Sequence, residues 1–225
     1  MISEKQRSAE AACEYVKEGM IVGLGTGSTA EFAVKKLGES VRDGLSIRGI
    51  PTSDATKILA EREGIPLIDF SETIFIDLTI DGADEIDANL NMIKGGGAAL
   101  LREKIVASVS REEIIIVSGG KLVKQLGVFP LPVEVIPFSW QVVFSQLESL
   151  QGNPKLRINH GQPIVTDQGN FILDCHFRKI ENAEQLEQQL NMIPGVVENG
   201  LFINLCTRMI MADGENIIIK NGNLS

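Results

Sequence analysis

The sequence predicts an α/β protein, with a large parallel-sheet domain wrapped by helices and a smaller α+β domain. Three observations carry that prediction. The first half alternates apolar strand-like runs with amphipathic helical stretches, and strand, helix, strand in succession calls for parallel pairing with helical crossovers. Three prolines within VFPLPVEVIP (128–137) then mark a change of character. Beyond them the order becomes helix, two strands, helix and hairpin.

Taken in order, MIVGLG (20–25) reads as a buried strand, STAEFAVKKLGES (28–40) as a helix, SIRGIPTS (46–53) as a strand and DATKILAEREG (54–64) as a helix. IFIDLTID (74–81) is the next strand, a helix begins at about Ala98, and EIIIVSGG (113–120) is a further strand. In the second part FSWQVVFSQLESL (138–150) and NAEQLEQQLNMI (182–193) are helices, with two strands around the TDQGN turn (166–170) between them. MIMADGENIIIK (209–220) closes the chain as a hairpin. The large domain is therefore expected over 1–128 with strands returning at about 206–225, and the small one over 129–205. Phe129, Phe138, Trp140 and Phe202 are expected to pack within or against the small domain, or at a contact between copies of the chain. No internal repeat or low-complexity segment is visible.

Composition narrows the function. The chain has 225 residues, 44% of them apolar, which is enough for a proper core. A formal net charge of -9 argues against nucleic acid, whose phosphate backbone selects for broad basic surfaces, but not against a small anion held by a few converging donors. The three cysteines, Cys13, Cys175 and Cys206, are odd in number and far apart, so they fit neither a disulfide framework nor a zinc spacing. A reducing compartment is expected. Met1 leads into the polar run ISEKQRSAEAA rather than a signal peptide, and no apolar run approaches the roughly 20 residues of a membrane helix. These features point to a soluble cytoplasmic protein.

Two glycine-rich stretches hold the candidate chemistry. In GLGTGSTAEF (23–32) a strand turns straight into a helix, which leaves backbone N–H groups free at a helix N-terminus, where an anion is favoured. A dinucleotide fingerprint needs a third glycine where Ser28 stands, and no Gly-Lys-Ser/Thr follows for a nucleotide loop. Thr26, Ser28 and Thr29 suit a terminal phosphate; ordinary capping by Ser28 or Thr29 is the competing reading. In TIDGADEIDANLNMIKGGGAALLREKIVA (79–107), Asp81 and Asp84 lie just past an apolar strand, where open α/β sheets place ligands. As hard oxygen donors they could also hold a cation, although no calcium-loop spacing is present. Glu85 and Asp87 read as solvated turn residues.

Glu103 has Ala99, Val106 and Ala107 as its helical neighbours, so it either sits on a covered face or is a solvated acid in the REK run. On a covered face it would be partly desolvated and a better base near neutral pH. His160 and His176 lie away from both glycine-rich stretches and read as structural or solvated. Tyr15 and the cysteines have no neighbouring base that would activate them. A carboxylate is left as the base, with Lys94 or Lys121 as the cation.

GLGTGSTA (23–30), TSDAT (52–56), DGADEID (81–87), KGGGAALLREKIVA (94–107), PLPVEVIPF (130–138) and IPGVVENGLF (193–202), in this order, make the sequence resemble the type A ribose-5-phosphate isomerases over nearly its whole length. The resemblance implies a Rossmann-like large domain, a ferredoxin-like small one, and interconversion of ribose 5-phosphate and ribulose 5-phosphate through an enediolate. It implies Glu103 as the proton acceptor, Lys94 as the cation facing developing charge, and Asp81 and Asp84 on the hydroxyls, with Asp81 assisting ring opening. Substrate binding would fall to Lys5, Thr26, Gly27, Ser28, Thr29, Asp81, Gly82, Ala83, Asp84, Lys94, Gly95, Gly96, Gly97 and Lys121. No metal or redox cofactor is implied, and the expected partners are a sugar phosphate and a second copy of the chain, as a homodimer or larger homo-oligomer. Two departures stand out: Ser118, Gly119 and Gly120 replace the Asp-x-Ser that commonly precedes Lys121, and Ala98 stands at a fourth glycine, at what should be the first turn of a helix. Two alternatives stay open. The chain could be a sugar-phosphate-sensing domain on the same scaffold, or a dinucleotide-dependent dehydrogenase, which Ser28 weakens.

Overall fold

A computed structural model describes residues 2–222; the outer limits of the predicted large domain, Met1 and Ser225, lie outside them. The chain forms two compact units. Unit 1 takes Met1–Ala83, Arg102–Leu122 and Asn204–Ser225, and unit 2 takes Asp84–Leu101 and Val123–Ile203.

The chain opens with helix α1 (Glu4–Cys13), then β1 (Ile21–Leu24), α2 (Ala30–Arg42), β2 (Arg48–Pro51), α3 (Asp54–Arg62) and β3 (Ile76–Gly82). Two short strands follow, β4 (Glu85–Ile86) and β5 (Met92–Ile93), before α4 (Leu100–Ser108) and the long β6 (Ser110–Ser118). Next come β7 (Leu131–Val135), α5 (Trp140–Ser149), β8 (Pro154–Leu156) and a two-strand ribbon of β9 (Ile158–Asn159) and β10 (Gln162–Pro163). The chain continues through β11 (Phe171–Cys175), α6 (Ala183–Asn191), β12 (Val196–Asn199) and β13 (Leu201–Phe202), and finishes with β14 (Arg208–Asp213) and β15 (Asn216–Asn221).

Unit 1 is built on a six-stranded sheet in the order β15-β14-β6-β3-β1-β2. Its first five strands in chain order pair in parallel, and β15 folds back antiparallel on β14 as the predicted closing hairpin. Ile114 to Val117 are all buried, the unbroken apolar run expected of a strand covered on both faces. One core cluster joins Val22, Leu24, Leu78, Ile80, Ile114 and Ile116 to Val34 and Leu37 of α2 and to Ala9 and Ala12 of α1. A separate cluster places Val106 of α4 against Ile50 and Ile76. The fold is α/β, as the sequence predicts.

Helix α1 is not among the predicted elements: residues 2–12 read from sequence only as a polar run that argues against a signal peptide. Its buried residues are Ser8, Ala9, Ala12 and Cys13, all small, so the apolar periodicity that announces a core helix is faint. The Ser3 hydroxyl caps it by accepting the Gln6 N–H.

Unit 2 holds an antiparallel sheet in the order β12-β7-β11-β8, in which β-α-β-β-α-β connectivity runs through α5 and α6. Val133, Val135 and Leu173 of this sheet cluster with Val143 and Leu147 of α5 and Leu186 and Leu190 of α6. A second, three-stranded sheet, β13-β5-β4, draws residues 84–101 into this unit, whereas the sequence reading kept them with the first half. Strands of two residues carry no readable periodicity, and the pairing of β5 with β13 joins segments over a hundred positions apart. Phe202 is fully buried, and Phe129 and Trp140 pack on the unit 2 core. Phe138 does not: it is 94% exposed.

Candidate active site

The sheet of unit 1 changes its direction of winding at β1, since the chain passes from β1 to β2 on one side and then returns to β3 on the other. Open α/β sheets bind ligands at the carboxyl ends of strands beside such a point. Here β1 runs into Gly25–Thr29 and β3 ends at Asp81 and Gly82. The two ends are tied together: the Gly25 N–H donates to the Ile80 carbonyl (3.0 Å), and the N–H groups of Thr26 (3.1 Å) and Gly82 (2.7 Å) both donate to Asp81 Oδ1. Asp81 is buried. A Cβ on residue 25 would stand 2.3 Å from Asp81 Oδ1 and 2.5 Å from the Ile80 oxygen, so only glycine permits this approach.

The side chain of Thr26 is gripped from the next strand. Its Oγ1 lies 2.7 Å from Thr52 Oγ1, 2.8 Å from Ser53 Oγ and 3.1 Å from Thr56 Oγ1. Those three residues are buried, and the hydroxyls of Thr52 and Thr56 also donate to the carbonyls of Leu24 and Gly25. In the sequence TSDAT marks only the resemblance, with no role for its hydroxyls. Its spacing reads as a helix cap, and Ser53 does cap α3 by accepting the Thr56 N–H. The convergence on Thr26 depends on β1 pairing with β2, which no local pattern reveals.

Beyond Thr26 the loop opens to solvent. Gly27 takes a positive φ of 107°, Thr29 stands at the N-cap of α2 without a side-chain capping bond, and Lys5 Nζ donates to the Ser28 hydroxyl (2.7 Å). A cation and two hydroxyls therefore border a helix N-terminus, an arrangement that attracts an anion. Lys121 ends the short turn that follows β6, the neighbour of β3.

Glu103 is buried on α4, at 6% exposure, with Val106 and Ala107 also buried. The helix can lie close over β1 because Gly23 has no side chain; a Cβ there would come within 2.8 Å of Val106 Cγ1. Arg102 turns elsewhere and donates to Asp54 at the start of α3 (2.7 Å).

The division between units falls between Ala83 and Asp84, so the remaining residues belong to unit 2. Asp84 is anchored through its own N–H to the Ile93 carbonyl (2.9 Å), and its Oδ2 accepts the Gly96 N–H (2.8 Å). Lys94 is 2% exposed, donates its backbone N–H to Gly200 (2.9 Å), and places Nζ 5.3 Å from the centre of the Phe202 ring. Gly200 allows this approach, since a Cβ there would stand 2.4 Å from the Lys94 oxygen. Gly95 has φ +102°, and Ala98 has φ +58°. Ala98 is therefore not in a first helical turn, as the sequence reading had it, but in the left-handed region, where a fourth glycine would sit without strain.

Glu85 overturns another expectation. Rather than facing solvent it is 4% exposed, and its two oxygens accept the N–H groups of Gly127 (2.7 Å) and Phe129 (2.5 Å), pinning the segment that leads into β7. Asp87 accepts the N–H groups of Asn89 and Asn91 and shapes the β4–β5 turn.

No thiol is poised for attack: all three cysteines are buried and outside any disulfide, and burial pushes Cys13 up to about 12 and raises Cys175 as well. Among the described residues no group of three or more His, Cys, Asp or Glu could hold a metal ion, and no helix is long and apolar enough to cross a membrane.

Unit 1 thus carries Lys5, Thr26–Thr29, Asp81–Ala83, Glu103 and Lys121, and unit 2 carries Asp84 and Lys94–Gly97. The ribose 5-phosphate isomerase A (phosphoriboisomerase A) family model matches residues 48–216. The chain is 50% identical over 217 residues to ribose-5-phosphate isomerase A 1 of Oceanobacillus iheyensis, covering 96% of this chain and 97% of that one. It is 54% identical over 215 residues to the isomerase of Gloeobacter violaceus, with 95% and 94% covered. Among solved structures, ribose 5-phosphate isomerase A of Methanocaldococcus jannaschii superposes with a TM-score of 0.93 at 40% identity, covering 96% and 97% of the two chains. A D-ribose-5-phosphate isomerase in complex with phospho-erythronic acid superposes at 0.94 and 39%, with 97% of each chain covered. Matched along nearly its whole length in both sequence and fold, the chain belongs to the ribose 5-phosphate isomerase A family.

Proposed function

We propose that this protein interconverts D-ribose 5-phosphate and D-ribulose 5-phosphate by proton transfer through an enediolate. The observation that carries the reading is the burial of Glu103 on a helix packed over β1, in a chain whose relatives bear the isomerase name. Desolvation by small apolar neighbours favours a carboxylate that accepts a proton over one that merely solvates the surface. Phospho-erythronic acid, bound by one solved relative, carries a planar two-oxygen carboxylate that mimics an enediolate.

In this mechanism Glu103 takes the C2 proton of the open-chain aldose. The C2–H electron pair forms the C1–C2 double bond, and the aldehyde oxygen takes up negative charge. Lys94 and backbone N–H groups offset that charge. Glu103 then returns the proton to C1 while the proton of the C2 hydroxyl passes to the charged O1, so that C2 becomes the carbonyl and C1 the hydroxymethyl group of the ketose. Asp81 and Asp84 orient sugar hydroxyls, and Asp81 assists ring opening. Lys5, Thr26, Gly27, Ser28 and Thr29 receive the phosphate, supported by the donors gathered at the α2 N-terminus. Gly82, Ala83, Gly95, Gly96, Gly97 and Lys121 complete substrate binding. The sensor reading finds no support among these relatives, which carry enzyme names.

The protein is expected to work in the pentose phosphate pathway, in the cytoplasm, as a homodimer; the exposed Phe138 and Val142 support a contact between copies. The deciding experiment is a direct assay for ribulose 5-phosphate formed from ribose 5-phosphate, with chelator present. Full turnover is expected. A loss restored by one divalent ion would make Asp81 and Asp84 metal ligands instead of hydroxyl acceptors.

A further inference from the structure

Arg157, just beyond β8, has its guanidinium divided between two tasks. Nε (2.8 Å) and NH2 face the carboxylate of Asp174 on β11, a side-on fork that fixes the plane of the group. The remaining nitrogen, NH1, donates to the carbonyls of both Gly95 (2.9 Å) and Gly96 (3.1 Å). Both side chains are mostly covered, and the backbone of Arg157 is itself pinned, its N–H to Ile172 and its carbonyl by Ile164. The rest of unit 2 anchors Lys94 independently, through Gly200 and Phe202. Glycines 95–97 have no side chains to hold them, and Gly96 and Gly97 are exposed.

A trans peptide points its C=O and its N–H in opposite directions. Holding the Gly95 and Gly96 carbonyls on the Arg157 side therefore turns the N–H groups of Gly96 and Gly97 to the other side. The Gly96 N–H meets Asp84 there, and the Gly97 N–H is left aimed the same way. We propose that Arg157, locked by Asp174, is a positioning residue that presets the Gly96 and Gly97 N–H groups, the first to orient Asp84 and the second to stabilise the substrate oxyanion. This rests on the isomerase reading above. Lysine cannot substitute, because a tetrahedral ammonium does not hold a carboxylate and two carbonyls in one plane.

The test compares Arg157→Ala, Arg157→Lys and Asp174→Asn with the wild-type protein. Small misplacements near reacting atoms cost on the order of 10²-fold in rate, so Arg157→Ala is expected to lose about that much kcat while KM moves only a few-fold, because oxyanion contacts strengthen in the transition state. Arg157→Lys should recover little, and added guanidinium ion should restore part of the Arg157→Ala turnover. Amide exchange, read without substrate, should accelerate at Gly96 and Ala98 and stay unchanged at Val133, Val135 and Leu173. Wild-type kcat and wild-type exchange at Gly96 and Ala98 in Arg157→Ala would overturn the proposal. So would a loss of protection throughout β7 and β11, which would make the pair a general structural brace. If the wild-type protein fails to isomerise ribose 5-phosphate, the functional reading falls by itself, and exchange alone decides whether Arg157 holds the loop.

Discussion

Glu103 and Lys94 are both buried, yet their replacements should fail in different ways. Glu103→Gln keeps shape and hydrogen bonding but cannot accept a proton. General-base catalysis contributes roughly 10²–10⁴ in rate, and a factor of 10³ corresponds to about 4 kcal/mol of barrier. Turnover should fall by that range with substrate affinity changed only a few-fold, whereas Lys94→Ala and Asp84→Asn should weaken binding as well, because in the proposed mechanism those groups also touch the ground state. Steady-state kinetics with a direct binding measurement checks this; retention of most turnover by Glu103→Gln, with Asp81→Asn abolishing C2 proton exchange, would move the base to Asp81. At this scale helical projection was informative for Glu103, whose neighbours Val106 and Ala107 are indeed buried. It had no purchase on Thr52, Ser53, Thr56 or Arg157, because their partners lie on other strands and loops and only tertiary pairing brings them into range.

Strands impose their own demands on the glycines and acids they carry. Gly25 leaves β1 where any side chain would collide with Asp81 and with the backbone of β3. Gly25→Ala should force the two strand ends apart, costing about 1–3 kcal/mol as overpacking does and removing activity more completely than stability; urea unfolding and kinetics together read the two effects. On β7, Glu134 is fully buried, accepts the Thr166 hydroxyl (2.8 Å) and the Asn170 amide (2.9 Å), and faces Glu198 across the β7–β12 pair. Burial raises its pKa above the ordinary carboxylate value, and the charges of Glu198 and Asp167 push the same way. Its neutral form is therefore the one the fold favours. Its contribution is most favourable below the unfolded pKa and is lost as pH rises through the raised folded value. Glu134→Gln, which keeps an acceptor for Thr166 and Asn170, should lack this loss and so gain stability relative to wild type as pH rises from about 4.3, the reference value for Glu. Parallel denaturation midpoints from pH 4 to 7 would show that Glu134 ionises in the fold at no cost.

Across the whole molecule, the alternating strands and helices of the first half, the proline-marked change at 128–137 and the closing hairpin were legible because each is a local pattern of some length. Short β4, β5 and β13 were not, since two-residue strands are defined by their partners rather than by their own sequence. The nesting that results bears on synthesis. Everything unit 2 contains has been made once Ile203 is added, while the sheet of unit 1 still lacks β14 and β15, two of its six strands. Until β14 has been made, β6 has only β3 beside it, and the Ile114–Val117 run borders an unpaired edge of the kind that recruits foreign strands. A nascent chain stalled there would have every residue of unit 2 but a unit 1 sheet still open along the Ile114–Val117 run, so unit 2, from the middle of the sequence, is complete before unit 1, which the sequence begins.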